Sequence, residues 1–257
     1  MRNVLAIIER ELRAYFNSPI AYVVLTMFIF LSGIFFRSIL FQVMQMGLMS
    51  QVQQGGARPL DMPGMISRGF LSTMSVILLF IMPMLTMGLF SEEKKRGTIE
   101  LLLTAPLTDL QVVLGKFLAA ASFFLILLIS TWVPMAVLYL YGSPASGPIL
   151  TAYLGLLLYG LSIIAIGLFI STLTENQIIA AVLSFGAIMV LWLVDVVAQN
   201  SESSTSKGVL TYLSILSHLD DFMKGVLSTS NIVFYLSLML VALFLTYRSI
   251  DSLRWRG

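Results

Sequence analysis

Residues 149–173, ILTAYLGLLLYGLSIIAIGLFISTL, contain no charged side chain in 25 positions. At 1.5 Å per residue a helix of that length reaches about 37 Å, enough to cross a hydrocarbon core of about 30 Å. In lipid the backbone must satisfy its own hydrogen bonds, so such a run is either a helix or one strand of a closed barrel. It is continuously apolar and lacks the period-2 alternation of a barrel strand, which leaves the helix. Five more runs read the same way: 20–41, 70–90, 117–141, 178–198 and 231–247. The composition agrees, with 58% of 257 residues hydrophobic, 11% charged and a mean hydropathy of +0.94. A soluble domain has about 45–50% apolar and about 25% charged residues. The expectation is an all-α integral membrane protein, one transmembrane domain of six helices over 1–257.

The same composition excludes several chemistries. There is no cysteine, hence no disulfide, thiolate metal site or cysteine nucleophile, and His218 is the single histidine. A net charge of +2 gives no reason to expect nucleic acid as a partner. The distribution of charge is more informative. Ten basic residues (Arg2, Arg10, Arg13, Lys94, Lys95, Arg96, Lys116, Arg248, Arg254 and Arg256) fall on one side of the six spans, against four (Arg58, Arg68, Lys207 and Lys224) on the other. Basic excess marks the cytoplasmic side, so both termini of this multi-pass chain are expected in the cytoplasm.

Residues 1–19 precede the first span. Val4, Leu5, Ile8, Leu12, Tyr15 and Phe16 recur at helical steps, with Arg2, Glu9, Arg10 and Arg13 largely elsewhere. The period predicts an amphipathic helix in the inner interface rather than a frayed basic tail. The first outer loop, 42–69, is rich in Gln, Gly and Met and reads as irregular. Its Met44, Met46, Met49, Met62 and Met65 are either soft thioether ligands for Cu(I) or ordinary apolar filler, with filler the better reading. The outer connection 199–230 opens with a polar stretch, after which the apolar period over 209–227 predicts one amphipathic helix. His218, Asp220, Asp221 and Lys224 ride on it. His218, Asp221 and Lys224 are candidates for an outer gate, although a solvated face explains such charges as well.

The cytoplasmic loop 91–116 holds the most specific pattern, Ser91-Glu92-Glu93-Lys94-Lys95-Arg96-Gly97-Thr98-Ile99-Glu100-Leu101-Leu102-Leu103-Thr104-Ala105-Pro106. It divides into a charged extension of the second span, a break at Gly97 and a short helix. Thr98 can cap that helix, Glu100 suits the positive end of its dipole, and Pro106 ends it. Thr108-Asp109-Leu110-Gln111 then has capping-box spacing and opens the helix that becomes span 3. A one-turn helix held between two rigid helix ends and projecting three leucines reads as a docking element; an apolar connector lying on lipid is the alternative.

The run from Glu92 to Thr108, with the later Gly115-Lys116, resembles the signature of ABC-2 type transporter permeases. Arg10-Glu11-Leu12-Arg13-Ala14-Tyr15-Phe16 with Ser18-Pro19 resembles that family's N-terminal interfacial helix, and Thr172-Leu173-Thr174-Glu175-Asn176-Gln177 its loop between spans 4 and 5. Leu213-Ser214-Ile215-Leu216-Ser217-His218, with Phe222 and Lys224-Gly225-Val226, is similar to the outer segment of the gliding-motility-associated subgroup. The resemblance implies the six-helix ABC-2 (type V exporter-like) fold and a permease that dimerises with a second copy to form a translocation path. It also implies two cytoplasmic ATPase subunits that hold ATP and magnesium, with an accessory membrane or periplasmic protein as a further partner. Glu92, Glu93, Gly97, Thr98, Ile99, Glu100, Leu101, Leu102, Leu103 and Pro106 would form the ATPase-coupling segment, and Glu175 and Asn176 a second contact.

This chain has no GxxxxGK[ST] phosphate loop and no soluble stretch large enough for a nucleotide-binding domain, so it is expected to be no enzyme and to hold no cofactor of its own. An intramembrane enzyme needs clustered polar groups at depth. Arg37 and Asp195 are the only charges inside the spans, each about 25 Å from the inner end of its helix and expected either to pair or to snorkel separately. A non-transporting anchor of an ATPase-driven motility or assembly machine would keep the same loop, and is the alternative to transport.

Overall fold

The computed structural model describes residues 2–53, 61–99, 107–199 and 204–254, and these contain helices and no strand. In chain order they are α1 (Arg2–Asn17), α2 (Pro19–Gln53), α3 (Met62–Thr86), α4 (Gly88–Lys95), α5 (Asp109–Ser130), α6 (Trp132–Tyr141), α7 (Ser146–Ser171), α8 (Gln177–Gln199), α9 (Ser204–Leu213), α10 (Ile215–Met223) and α11 (Thr229–Arg254). Six segments are long and apolar enough to cross a membrane: Pro19–Met49, Met62–Lys95, Asp109–Tyr141, Ser146–Ser171, Gln177–Ala198 and Thr229–Ser252. The crossings correspond to the six expected spans.

Two crossings bend at identifiable places. Pro83 lies inside α3 and cannot donate to the preceding turn, and the helix breaks at Met87 before resuming as α4. Pro134, near the start of α6, removes a donor just after the break at Thr131, whose hydroxyl bonds the Leu128 carbonyl at 2.6 Å and the Tyr153 hydroxyl at 2.9 Å.

The expected irregular loop over 42–69 is largely helix. α2 runs on to Gln53, α3 begins at Met62, and Asp61 caps α3 by accepting from the Gly64 amide at 3.0 Å. With 35 residues α2 is about 52 Å long, well beyond the hydrocarbon thickness. Hydropathy fades after Phe41, but Gln and Met are good helix formers and the helix does not stop where the apolar run does. Met44 and Met46, two positions apart on α2, point about 200° from each other, while Met62 of α3 packs against α2 at Gly47.

The single helix expected over 209–227 is two, broken at Ser214. Its hydroxyl accepts from the Ser217 amide at 3.1 Å and so caps α10. α10 is not a solvated element. Phe222 seats against Gly155 of α7, Tyr235 of α11 donates to the Ile215 carbonyl at 2.7 Å, and Thr151 of α7 donates to the Phe222 carbonyl at 2.9 Å. It ends in a Schellman turn at Gly225, φ +85°, where the Val226 amide reaches the Asp221 carbonyl at 2.9 Å.

α7 is the axis of the bundle. Three of its glycines lie flush against three different elements: a Cβ on Gly155 would fall 2.6 Å from the Phe222 Cβ, one on Gly160 2.2 Å from Phe124 of α5, and one on Gly167 2.1 Å from the Thr86 hydroxyl of α3. Gly155→Ala should therefore destabilise the protein by about 1–3 kcal/mol through overpacking against the start of the Phe222 side chain, which cannot swing away. Gly186→Ala on α8, where a Cβ meets nothing within 4 Å, should be neutral or stabilising. Thermal unfolding of the two variants in detergent, side by side, checks the pair.

Candidate functional site

At the end of the bundle that carries both described termini, three helices, α1, α4 and α5, meet around one ammonium group. Lys116, in the second turn of α5, is 1% exposed. Its Nζ lies 3.1 Å from Glu11 Oε1 of α1 and 3.0 Å from Glu93 Oε1 of α4, and donates at 2.6 Å to the Leu89 carbonyl. An ammonium has three donors, and here each has an acceptor. The Phe90 ring lies under it at 5.1 Å, adding a cation–π contact. Arg10 closes the cluster from outside, donating to Glu11 at 2.7 Å and to Glu93 at 2.8 Å. Two cations thus face two carboxylates.

The sequence reading of α1 found the helix but missed its inward residue. The covered positions Ile7, Glu11 and Tyr15 follow one another at four-residue steps, so Glu11 sits inside the stripe that packs, while Leu5 is 64% exposed. Ile7 fits against Gly115, where a Cβ would lie 2.6 Å from the Ile7 Cγ2. Tyr15 donates to the Leu85 carbonyl at 3.1 Å, and Tyr15 and Phe16 pack on Phe123. Burial pushes the Glu11 carboxyl up, but Lys116 and Arg10 pull it down further, so it sits below its ordinary value of 4.5. Burial raises the Tyr15 phenol, with Glu11 adding to the shift. A signal for Lys116 and Glu11 was present: a lysine one residue before a long apolar run needs an acceptor, and an acid in the middle of an apolar stripe can supply one.

Beyond this cluster, Lys94 donates at 2.5 Å to the Thr172 carbonyl at the end of α7, and the Thr172 hydroxyl meets that of Ser249 on α11 at 2.8 Å. The α7–α8 turn and α11 are thereby tied to α4.

The coupling candidates fall into three groups. Glu93 turns inward to the cluster, whereas Glu92 stays half exposed and pairs with Arg96 at 2.5 Å. Gly97, at φ +68°, is a Schellman turn: the Thr98 amide reaches the Glu93 carbonyl at 3.0 Å and the Gly97 amide the Lys94 carbonyl at 3.1 Å. Thr98 also donates its hydroxyl to the Glu93 carbonyl at 3.3 Å, and Ile99 is half-buried. Glu100, Leu101, Leu102, Leu103 and Pro106 lie outside the described residues. Past them the expected capping box stands, Thr108 accepting from the Gln111 amide and the Gln111 side chain from the Thr108 amide, each at 3.4 Å. Glu175 and Asn176 are exposed in the α7–α8 turn, and Asn176 caps α8 by accepting from the Ile178 amide at 2.9 Å.

The remaining candidates lie elsewhere. Among the described residues no ion pair joins Arg37 to Asp195; Arg37 is exposed on α2, and Asp195 accepts from Ser214 at 3.1 Å and Ser217 at 2.6 Å. At the far end His218 is buried, Asp221 accepts from Asn231 at 3.0 Å, and Lys224 pairs with Asp220 at the surface. The expectation of a solvated face thus holds for Lys224 but not for His218.

Lys116→Met leaves Glu11 and Glu93 beside each other without their buried cation, and should cost about 3–5 kcal/mol in thermal unfolding. Adding Glu11→Gln should recover part of that loss. The depressed Glu11 carboxyl also fixes a sign. Its contribution is complete above the ordinary value of 4.5 and disappears as pH falls through its lower folded value, so unfolding temperature should drop on that acid limb in the native chain. The drop should be smaller in Glu11→Gln.

Comparison with known proteins agrees with the fold. Residues 5–252 match the family described as ABC-2 family transporter protein. The chain is 33% identical over 91 residues to the probable multidrug ABC transporter permease YbhR of Escherichia coli K12, a match covering 34% of this chain and 23% of that protein. It is 31% identical over 132 residues to the probable multidrug ABC transporter permease YbhS of the same strain, covering 49% of this chain and 33% of that protein. The aligned parts thus span a third or less of these relatives' own length. Six apolar crossings and a match along nearly the whole chain make this protein a multi-pass membrane member of the ABC-2 transporter family.

Proposed function

We propose that the chain is the permease subunit of an ATP-binding-cassette transporter, in which two permease copies form the path and two separate cytoplasmic ATPase subunits, holding ATP and magnesium, drive it. The segment Ile99–Leu103 is the coupling element. The observation that carries this reading is how its flanks are held. On one side α4 is fixed by Glu93 and Lys94 and closed by the Gly97 turn; on the other the Thr108 box opens α5 seven residues before the buried Lys116. A push delivered to these two ends reaches α1, α5, α7 and α11 through the Lys116 cluster and the Lys94–Thr172–Ser249 contacts.

Supporting the dimer, the spans in α2 and α8 are 22% and 17% buried within the protomer, leaving apolar faces for a second copy or for lipid. The excess of basic residues supports cytoplasmic termini and an inner-membrane location. The outer-segment resemblance alone supports the gliding-motility-associated subgroup, with an accessory membrane or periplasmic protein as partner. A non-transporting anchor would use the same coupling element.

Glu100→Arg, or Leu101→Asp with Leu102→Asp, should leave the permease folded and inserted while ATPase association falls at least tenfold in pull-down. A segment that merely lies on lipid predicts the reverse, lowered thermal stability with association retained, and would end the docking role. Because the native chain has no cysteine, orientation is tested directly by Thr98→Cys. It should be blocked by a permeant maleimide and spared by an impermeant one added to the periplasmic side of spheroplasts.

A further inference from the structure

At the far end α9, α10 and α11 line, with α8 and α3, an open pocket of about 860 Å³ that includes Asp195, Lys207, Tyr212, His218, Asp221 and Asn231. His218 stands in its wall, 6% exposed, with its ring stacked on Phe234 at 4.1 Å. Its Nδ1 lies 2.7 Å from the Asn231 side-chain oxygen, and its Nε2 lies 3.0 Å from the Tyr212 backbone carbonyl. The Asn231 amide is oriented by its other end, where Nδ2 donates to Asp221 Oδ2 at 3.0 Å. A carboxylate only accepts, so the amide nitrogen must face Asp221 and the amide oxygen must face the histidine.

Both ring nitrogens of His218 therefore meet acceptors. A neutral imidazole carries one N–H, and in this setting its bare nitrogen would face an oxygen lone pair at 2.7 or 3.0 Å. Only the imidazolium donates at both positions. We propose that His218 is held here as the imidazolium and that its second proton latches α9 and α10 onto α11 as a pH-sensitive joint beside the pocket. The three tied groups come from three elements: the Tyr212 carbonyl ends α9, His218 is on α10, and Asn231 starts α11. A cation against the Phe234 face and one hydrogen bond away from the Asn231–Asp221 pair is favourable. When the proton leaves, to water in the pocket, one of the two bonds becomes a contact between acceptors, and α9 or α11 must draw back.

The charged and titratable groups around the latch are consistent with that direction. α8 contributes Asp195, α9 contributes Lys207 and Tyr212, and α10 contributes Asp220, Asp221 and Lys224. α3 contributes Arg68, close enough to act on Lys224. α7 contributes the phenols Tyr153 and Tyr159, and α11 contributes Tyr235, whose ring lies 6.4 Å from His218. Three carboxylates against Lys207, with Lys224 bound to Asp220 at the rim, make the wall a host for a cation. The latch is thus closed on the acid side and opens as pH rises.

The inference does not depend on the ATPase reading, and its test needs the permease alone. His218 is the only histidine, so ¹⁵N-histidine labelling of the native chain in detergent reports this ring and nothing else. Over a series from about pH 5 to about 8, both ring nitrogens should be protonated while the latch is closed, and the loss of one proton should coincide with the opening that the second readout follows. In a second readout, Met223→Cys places a thiol in the pocket wall at a position 4% exposed. After division by the rate at the exposed control Leu227→Cys, its labelling by an impermeant maleimide should be about tenfold faster at the alkaline end than at the acid end. Asn231→Asp, which offers the ring a carboxylate, should shift both transitions to higher pH; if that variant fails to fold, the two native-site readouts still decide. A ring with one bare nitrogen at about pH 5, or Met223→Cys labelling that tracks the control across the range, would overturn the proposal.

Discussion

The buried ammonium of Lys116 is the constraint on which the termini end of the bundle depends. A lysine one residue before an apolar span could have snorkelled to water, but here it is 1% exposed and holds acceptors from α1 and α4 at once. An uncompensated buried charge is far costlier than a displaced helix, so Glu11, Glu93 and the Leu89 carbonyl must stay where they are. An amphipathic helix lying in an interface is normally held by apolar area and lipid charge alone, and is free to rotate and slide. α1 is not free in that sense, because Glu11 locks its rotation and Ile7 on Gly115 locks its height. The N-terminal helix therefore works as a strut of the domain rather than a float on its surface.

From that corner, order spreads along α7. Its glycines lie under α10 at Gly155, under α5 at Gly160 and under α3 at Gly167, so contact with neighbours is close along about 18 Å of the helix. Without strong hydrophobic drive between helices in lipid, close backbone approach is what packing has to work with. Lys94 and Ser249 then join the near end of this axis to α4 and α11. A displacement at the near end cannot be absorbed locally, since each route out of it leads into α7.

The sequence made legible whatever lipid dictates. Six spans follow from the demand that backbone be satisfied in hydrocarbon, and the Thr108 box and Gly97 break follow from local helix chemistry. What escaped it follows from the same logic, because hydropathy registers where the apolar run stops, not where the helix does. α2 goes on for twelve residues past Phe41 through Gln and Met side chains that keep helical conformation without needing lipid. Glu11 was hidden because an apolar stripe is scored by its apolar members, and its charge makes sense only with a lysine 105 residues away in the chain. The break at Ser214 was hidden by an apolar period that runs through it. His218 looked like one polar residue on a surface face because Asn231 and Phe234, which bury it, come from the next span.

The two ends of the bundle solve one problem in different ways. Each buries a nitrogen base among oxygens drawn from two other helices, and each is flanked by a helix that ends in a left-handed glycine, Gly97 or Gly225. The Lys116 ammonium has an acceptor for each of its three donors, so the near end is rigid by construction. His218 has an oxygen acceptor at each ring nitrogen, and both contacts are satisfied only by a doubly protonated ring. α10 packs closely on α7 through Phe222 against Gly155, and α9 packs on α8, whereas α11 is held to this pair chiefly through Asn231 and Tyr235; the seam between α9–α10 and α11 is therefore where the far end has least helix packing to lose.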